Sequence, residues 1–151
     1  MELISGYQVR AGSSLDRALL AKFMQKTYQE LAPKQDFSHL ALTVEQYLSR
    51  ETPLWWVSSD SDAAVACVWA GNAIDQITSD RIAHIFLLYV NPEHRRKGIA
   101  RALMNQVETW AITKGFPAIE LQVFQTNDFA KNLYNQLGYQ TRSLSMVKPL
   151  K

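Results

Sequence analysis

A chain of 151 residues, 47% hydrophobic and 20% charged, is long enough to bury a core and too apolar to be globally disordered. Sixteen Lys and Arg against fourteen Asp and Glu leave a formal net charge of +2, too little to argue for a general nucleic-acid binder. The single cysteine, Cys67, excludes an intrachain disulfide, no Cys/His spacing suggests a metal site, and no run of about eighteen apolar residues would span a bilayer.

Tyr7 to Arg10 reads as a short strand, after which Gly12-Ser13-Ser14 offers an N-cap to a helix from about Leu15 to Leu31. The apolar stripe of that helix is Leu15, Leu19, Phe23 and Leu31, and Pro33 ends it. The polar connector Lys34 to His39 leads to a second helix starting near Thr43, where Thr43 and Gln46 have capping-box spacing, and Pro53 closes it. Leu54 to Ser59 and Ala63 to Ala70 flank the turn-forming cluster Asp60-Ser61-Asp62 and predict a β-hairpin, followed by a loop from Gly71 to Asp80. Ala83 to Val90, with His84 its one side chain that titrates near neutrality, suits a strand covered on both faces and placed mid-sheet. The next helix repeats Ile99, Leu103, Val107, Trp110 and Ala111 on one face and stops at Gly115 and Pro117. Ile119 to Phe124 returns as a strand. A helix near Asn127 to Leu137 buries Phe129, Leu133 and Leu137, Gly138 turns it, and Tyr139 to Pro149 reads as a last strand. This order predicts a mixed α/β sheet with its cofactor site at the carboxyl end of the central strand.

The segment from Ile82 to Leu103, IAHIFLLYVNPEHRRKGIARAL, breaks an apolar run into a short basic loop that opens directly onto a helix. Backbone N–H groups of a helix's first turn have no partner inside the helix, and the dipole adds partial positive charge there, so phosphates bind readily. Gly98 and Ala100 keep that backbone bare enough for a diphosphate to come close. Here the sequence resembles the GNAT superfamily, the acetyl-CoA-dependent N-acetyltransferases, whose signature is Arg or Gln, two residues, Gly, one residue, then Gly or Ala. A second block, from Asn127 through Ala130, Leu133-Tyr134 and Gly138-Tyr139, is similar to the family's second acetyl-CoA segment. The resemblance is specific from about Ile82 to Tyr139 and topological before that. It implies one domain over 1–151, a mixed, mostly antiparallel sheet flanked by helices, and a CoA site at splayed central strands.

The resemblance also implies roles. The loop residues Arg95, Arg96, Lys97, Gly98, Ile99 and Ala100 hold the CoA diphosphate, mainly through backbone N–H groups, with Arg96 and Lys97 adding charge. Backbone groups at Leu88, Tyr89 and Val90 pair with the pantetheine arm, and Asn127, in the same segment as Ala130, hydrogen-bonds it from the other side. Tyr134 lies seven residues after Asn127, about two helical turns, so both can face one cleft. Its family role is general acid; the alternative is that it packs beside Leu133. His84 lies eleven residues upstream of Arg95, where the histone-acetyltransferase branch carries a general-base glutamate. Imidazole can take a proton there directly or through water, and the alternative is a satisfied sheet histidine.

Cys67, between Ala66 and Val68, reads as a small core residue. Whichever of Trp55 and Trp56 points outward is a candidate wall for an acceptor pocket, and Asp36 and His39 are candidates to attract and hydrogen-bond a cationic amine. The N-terminus, MELISGYQVRAGSS, lacks the basic region and apolar stretch of a signal peptide, so a cytoplasmic location is expected. The expected activity is transfer of an acetyl group from acetyl-CoA to a primary amine, small molecule or peptide, by direct attack in a ternary complex. No metal, membrane or nucleic acid is expected to take part, and a homodimer is compatible with the reading. The alternative is a catalytically silent CoA-binding sensor or interaction module.

Overall fold

A computed structural model describes residues 2–61 and 63–151, and six strands within them form one sheet in sequence order. They are β1 (Glu2–Ile4), β2 (Tyr7–Ala11), β3 (Leu54–Ser59), β4 (Ala66–Ile74), β5 (Arg81–Val90) and β6 (Ile119–Leu121). Neighbours pair antiparallel except β5 and β6, which run parallel because a whole helix, α3 (Ile99–Thr113), crosses between them. Helices α1 (Arg17–Leu31) and α2 (Leu40–Tyr47) cover one face, and α3 with α4 (Asp128–Gln136) covers the other.

Strand alternation divides the core between these faces. Leu54, Trp56, Cys67, Trp69, Leu87 and Tyr89 pack with Leu20, Phe23, Leu40 and Val44 under α1 and α2. Val57, Ala66, Val68, Ala70, Ile85 and Val90 pack with Ile99, Leu103, Met104 and Val107 under α3. A fully buried side chain of the Val, Leu or Phe class stabilises by roughly 1.5–3 kcal/mol, which is why the central strands bear the apolar run seen in the sequence.

One irregularity interrupts the alternation. Trp69 pairs with Leu87 and Ala70 pairs with Ile85, so Phe86 is an extra residue in β5 with no opposite number on β4. This β-bulge inverts the facing of everything before it. Strict period-two counting from Leu88 and Val90 assigns His84 to the α3 side, whereas Phe86 packs with the cluster under α1 and α2 and His84 stacks edge-on to its ring at 5.1 Å.

Several sequence expectations are corrected. Ser13 caps the chain in a capping box with Asp16, but the residues it opens are a 3-10 turn, and Leu15 is 94% exposed rather than part of a core stripe. The second helix starts at Leu40, three residues early, so Thr43 is interior to α2 and caps nothing. The residues read as the start of a loop, 71–74, extend β4 instead, because they pair with 81–84 of β5. Of the hairpin's turn cluster, Asp62 lies outside the described residues. Strand β6 stops at Leu121, short of Phe124, and Phe129 is 60% exposed on α4, which has no fully buried residue. Among the described residues, 139–151 form no strand.

The end of the chain is nevertheless anchored. Arg142 donates to both oxygens of Asp75, at 3.0 and 2.7 Å, in the turn joining β4 to β5. Those hydrogen bonds, with a further one from the Ile77 N–H, hold the Asp75 carboxyl at about 2, below the usual carboxylate range. A carboxyl depressed on folding contributes stability that is full above its unfolded value near 4 and lost as pH falls through its folded value. Urea melts should therefore show wild type exceeding Arg142→Gln in stability at pH 5, with the difference shrinking steadily towards pH 2.

Candidate active site

The loop between β5 and α3 has an unusual backbone. Arg96 and Gly98 adopt left-handed φ of 65° and 87°, while Lys97 between them does not, an alternation that makes a concavity of N–H groups. Gly98 serves as N-cap of α3 without a side chain, and a Cβ added to it would meet no atom within 4 Å. The first helical hydrogen bond there runs from Ala102 N–H to Gly98 carbonyl, so the first-turn N–H groups of Ile99, Ala100 and Arg101 lie ahead of the ladder. Arg96 and Lys97 are exposed, with the Lys97 ammonium 5.9 Å from the Tyr7 ring.

The Arg95 side chain is committed within the fold. Its Nε donates to the Val90 carbonyl at 2.8 Å, and its guanidinium grips both oxygens of Glu30 on α1 at 2.7 and 3.0 Å. The side chain thus staples the end of β5 to α1 and turns away from the N–H concavity. Val90 correspondingly has its carbonyl engaged by Arg95, and Tyr89 turns its hydroxyl to Glu30 at 2.9 Å.

Below this loop the sheet opens. Strands β5 and β6 pair at only three positions, Ala83 with Ile119, His84 with Glu120 and Ile85 with Leu121, and β5 then continues through Leu88 to Val90 while β6 departs. The carbonyl of Asn127's side chain caps α4 through the Ala130 N–H at 3.2 Å, so its amide nitrogen takes no part in the cap. Tyr134, partly buried beside Tyr139 at a ring distance of 5.8 Å, packs on the α3 side of the opening. Burial pushes its phenol up to about 12, so it stays protonated at neutral pH.

On the opposite side lies a cavity of about 610 Å³. His84, Phe86, Asn72 and Ala73 line its floor, and Thr43, Gln46 and Tyr47, three and four residues apart on α2, line its wall. Ser49, Glu51 and Thr52 complete the rim. The His84 Nδ1 lies 3.0 Å from the Glu120 carboxylate, the residue directly beside it in β6. A carboxylate only accepts, so Nδ1 carries a proton, and in the neutral imidazole the lone pair is on Nε2.

Sequence reasoning missed Glu120, Phe86 and the α2 residues, because strand register and the bulge bring them together and neither has a local signature. The acceptor candidates fare differently. Trp56 is fully buried and Trp55 packs edge-on against Trp110 of α3, so neither walls the His84 cavity. Asp36 accepts from the Ser38 N–H at 2.9 Å in a local turn, and exposed His39 tilts against Phe37; neither lines that cavity. Cys67 is buried, and burial pushes its thiol up, away from nucleophile chemistry.

The acetyltransferase (GNAT) family model matches residues 18–139, which span the α1 helix, the split strands and the N–H loop. The chain belongs to this family. It is 29% identical over 120 residues to human N-acetyltransferase 8, covering 80% of this chain and 52% of that protein. The chain therefore spans about half the length of the curated relatives it matches. Among solved structures, a GCN5-related N-acetyltransferase from Ralstonia eutropha superposes with a TM-score of 0.76 at 23% identity, over 96% of this chain and 99% of that one. An aminoglycoside N-acetyltransferase in complex with CoA superposes with a TM-score of 0.73 at 16% identity, over 95% of this chain and 93% of that one. These likenesses establish the shared GNAT fold. Among the described residues no helix is long and apolar enough to cross a membrane, and no cluster of His, Cys, Asp and Glu could hold a metal ion.

Gly71 makes room for Phe86 in the floor of the cavity. It pairs with His84, and a Cβ there would sit 2.6 Å from Phe86 Cε2 and 3.1 Å from Thr52 Cγ2. Gly71→Ala should force the Phe86 ring to shift and cost about 1–3 kcal/mol of stability by overpacking. Thermal melts give the cost, and a change in the His84 ring-proton shifts reports the displaced aromatic.

Proposed function

We propose that residues 1–151 are a single N-acetyltransferase domain that transfers an acetyl group from acetyl-CoA to a primary amine by direct attack. The observation that carries this reading is the alignment, along one strand, of the N–H concavity after β5, the split between β5 and β6, and a cavity floored by His84. The concavity at 96–100 suits the diphosphate, the backbone of Leu88 to Val90 beyond the β6 pairing, apart from the Val90 carbonyl that Arg95 holds, suits the amides of the pantetheine arm, and the Asn127 amide faces that arm across the split. The CoA complex of a structural neighbour supports the same co-substrate here.

The two faces of the sheet divide the chemistry. The acceptor amine occupies the cavity under α2, where Glu51 attracts its cationic form and the His84 Nε2, held by Glu120, takes the proton as the amine attacks. The thioester lies in the split, and its thiolate departs on the Tyr134 side. A phenol at about 12 gives up its proton to a thiolate near 8.5 only at a cost of ~5 kcal/mol, so Tyr134 acts by donating a hydrogen bond to the developing charge. Small polar amines and peptide termini both fit a cavity lined with Thr, Gln, Ser and Asn side chains. A cytoplasmic site of action accords with a lone, buried cysteine.

A panel of amines with acetyl-CoA, followed by thiol release, tests the activity; CoA binding without turnover on any amine would favour the silent sensor instead. Gly98→Glu, which sets a carboxylate against the diphosphate, should weaken CoA binding at least a hundredfold by calorimetry while circular dichroism stays native. Tyr134→Phe should lower kcat about a hundredfold and leave the acetyl-CoA KM within twofold, since its hydroxyl acts on charge present only in the transition state.

Glu120 is proposed as the positioning residue for His84. Glu120→Ala should reduce kcat/KM for the amine roughly tenfold, against roughly a hundredfold for His84→Ala, with the acetyl-CoA KM unmoved in both. Nitrogen NMR of the imidazole should show the Nδ1–H tautomer in the wild type and its loss in Glu120→Ala. An unchanged tautomer would remove Glu120 from this role, and full activity in His84→Ala would remove His84.

A further inference from the structure

The last turn of α1 is tied to both arms of the split sheet. On one side Glu30 accepts from the Arg95 guanidinium at 2.7 and 3.0 Å and from the Tyr89 hydroxyl at 2.9 Å, which fixes the end of β5 and the root of the loop at 96–100. On the other, the ring of Tyr28 meets that of Phe124, past the end of β6, edge to face at 6.2 Å. Residues two apart on a helix leave it on nearly opposite sides, about 200° apart, so one turn can reach both ways. Phe124 in turn accepts the Asn127 N–H at its carbonyl, at 2.9 Å, and Asn127 caps α4. Behind Tyr28, the buried Phe37 of the connector to α2 stacks on its ring at 5.9 Å.

These ties do little for stability. The Arg95 and Glu30 side chains are 35% and 42% exposed, a setting in which ion pairs contribute little, and Phe124 is 53% exposed. Apolar packing does not set the spacing at the β5 end either. A cavity of about 400 Å³ lies there between α1 and the strand, and polar contacts bridge it, Glu30 to Arg95 and Tyr89, and the Lys26 ammonium to the Asn91 side-chain carbonyl at 3.4 Å. What a two-point guanidinium–carboxylate pair fixes is position.

We propose that Tyr28 and Glu30 are positioning residues for acetyl-CoA, the last turn of α1 acting as a brace that sets the distance between the loop at 96–100 and the turn at 124–127. The inference rests on the assignment of those two segments to the diphosphate and the pantetheine arm. Neither side chain touches the reacting atoms: Glu30 acts through Arg95, and Tyr28 through Phe124. A ligand held from both sides loses several hydrogen bonds together when one side is displaced by about 1 Å, since each weakens steeply with distance and angle. Saturating acetyl-CoA draws the two sides back to their spacing, so the loss falls on affinity and not on the chemical step.

Calorimetry with CoA, and initial rates at saturating amine, test the brace. Glu30→Ala and Tyr28→Leu should each raise the CoA Kd and the acetyl-CoA KM about tenfold, with kcat within threefold and the amine KM within twofold of wild type. Glu30→Ala should add less than twofold to the CoA Kd in an Arg95→Met background, and Tyr28→Leu less than twofold in Phe124→Ala, because each pair is one mechanical link. Leu20→Val, in the α1 core away from both arms, should lower the melting temperature but leave the CoA Kd within twofold. An unchanged CoA Kd in Glu30→Ala or Tyr28→Leu overturns the proposal, as does additivity in either double variant. Equal weakening by Leu20→Val overturns it too, since any loosening of α1 would then suffice. Wild type that binds no CoA removes the acetyl-CoA assignment and the brace together, whereas tight wild-type binding unmoved by these variants removes the brace alone.

Discussion

A single inserted residue in β5 governs the chemistry that this domain can offer. With Phe86 bulged out of register, Leu87 and Tyr89 on one side and His84 on the other all address the α1 and α2 face, although no period-two strand could arrange them so. The bulge breaks the ladder locally and leaves Phe86 leaning over Gly71 towards Trp69, with ring centroids 4.7 Å apart. That aromatic ledge, continued by Tyr47 at 6.0 Å, forms the apolar part of the cavity over which His84 is presented. Without the extra residue the imidazole would enter the apolar layer beneath α3, where an unpaired polar ring is costly.

The second constraint is the brevity of the β5–β6 pairing. Parallel strands held for only three positions diverge under the twist of the sheet, and the wedge between them opens towards the helix N-terminus that follows β5. Arg95 keeps the wedge in shape from behind. By bridging the Val90 carbonyl and Glu30 it binds the end of β5 to α1, so the left-handed backbone at Arg96 and Gly98 rests on a fixed strut. Signature arginine and signature glycine thereby serve the same loop by different physics, one through side-chain hydrogen bonds and the other through backbone freedom.

Electrostatically the two sides of the wedge are unlike. Tyr134 is surrounded by apolar packing that keeps its proton in place, whereas His84 is joined to Glu120, and Arg142, itself paired with Asp75, feels the Glu120 charge. The tail root and the imidazole are therefore linked through one short run of alternating charges. Whatever orders the residues beyond Arg142 acts on a segment whose anchor lies within electrostatic reach of the site.

Much of this protein is written locally. The Ser13 cap, the α3 stripe from Ile99 to Ala111, the apolar run of β5, the glycine-bearing loop onto α3 and the start of α4 near Asn127 each depend on residues within a turn or two of one another, and all were legible in the sequence. The family, too, follows from short blocks of that kind. What the tertiary structure alone decided is every relation between distant segments: Glu120 beside His84, α2 over the cavity, Trp56 turned inward, Arg95 committed to Glu30, and β4 running on through Gly71. Those relations depend on strand register and on one bulge, and a shift of a single residue reverses every facing at no change in local propensity, so pattern and composition carry no record of it. The terminal segment shows the converse, since its alternation reads as a strand while residues 139–151 join no sheet among the described residues, and a strand exists only where an edge pairs with it.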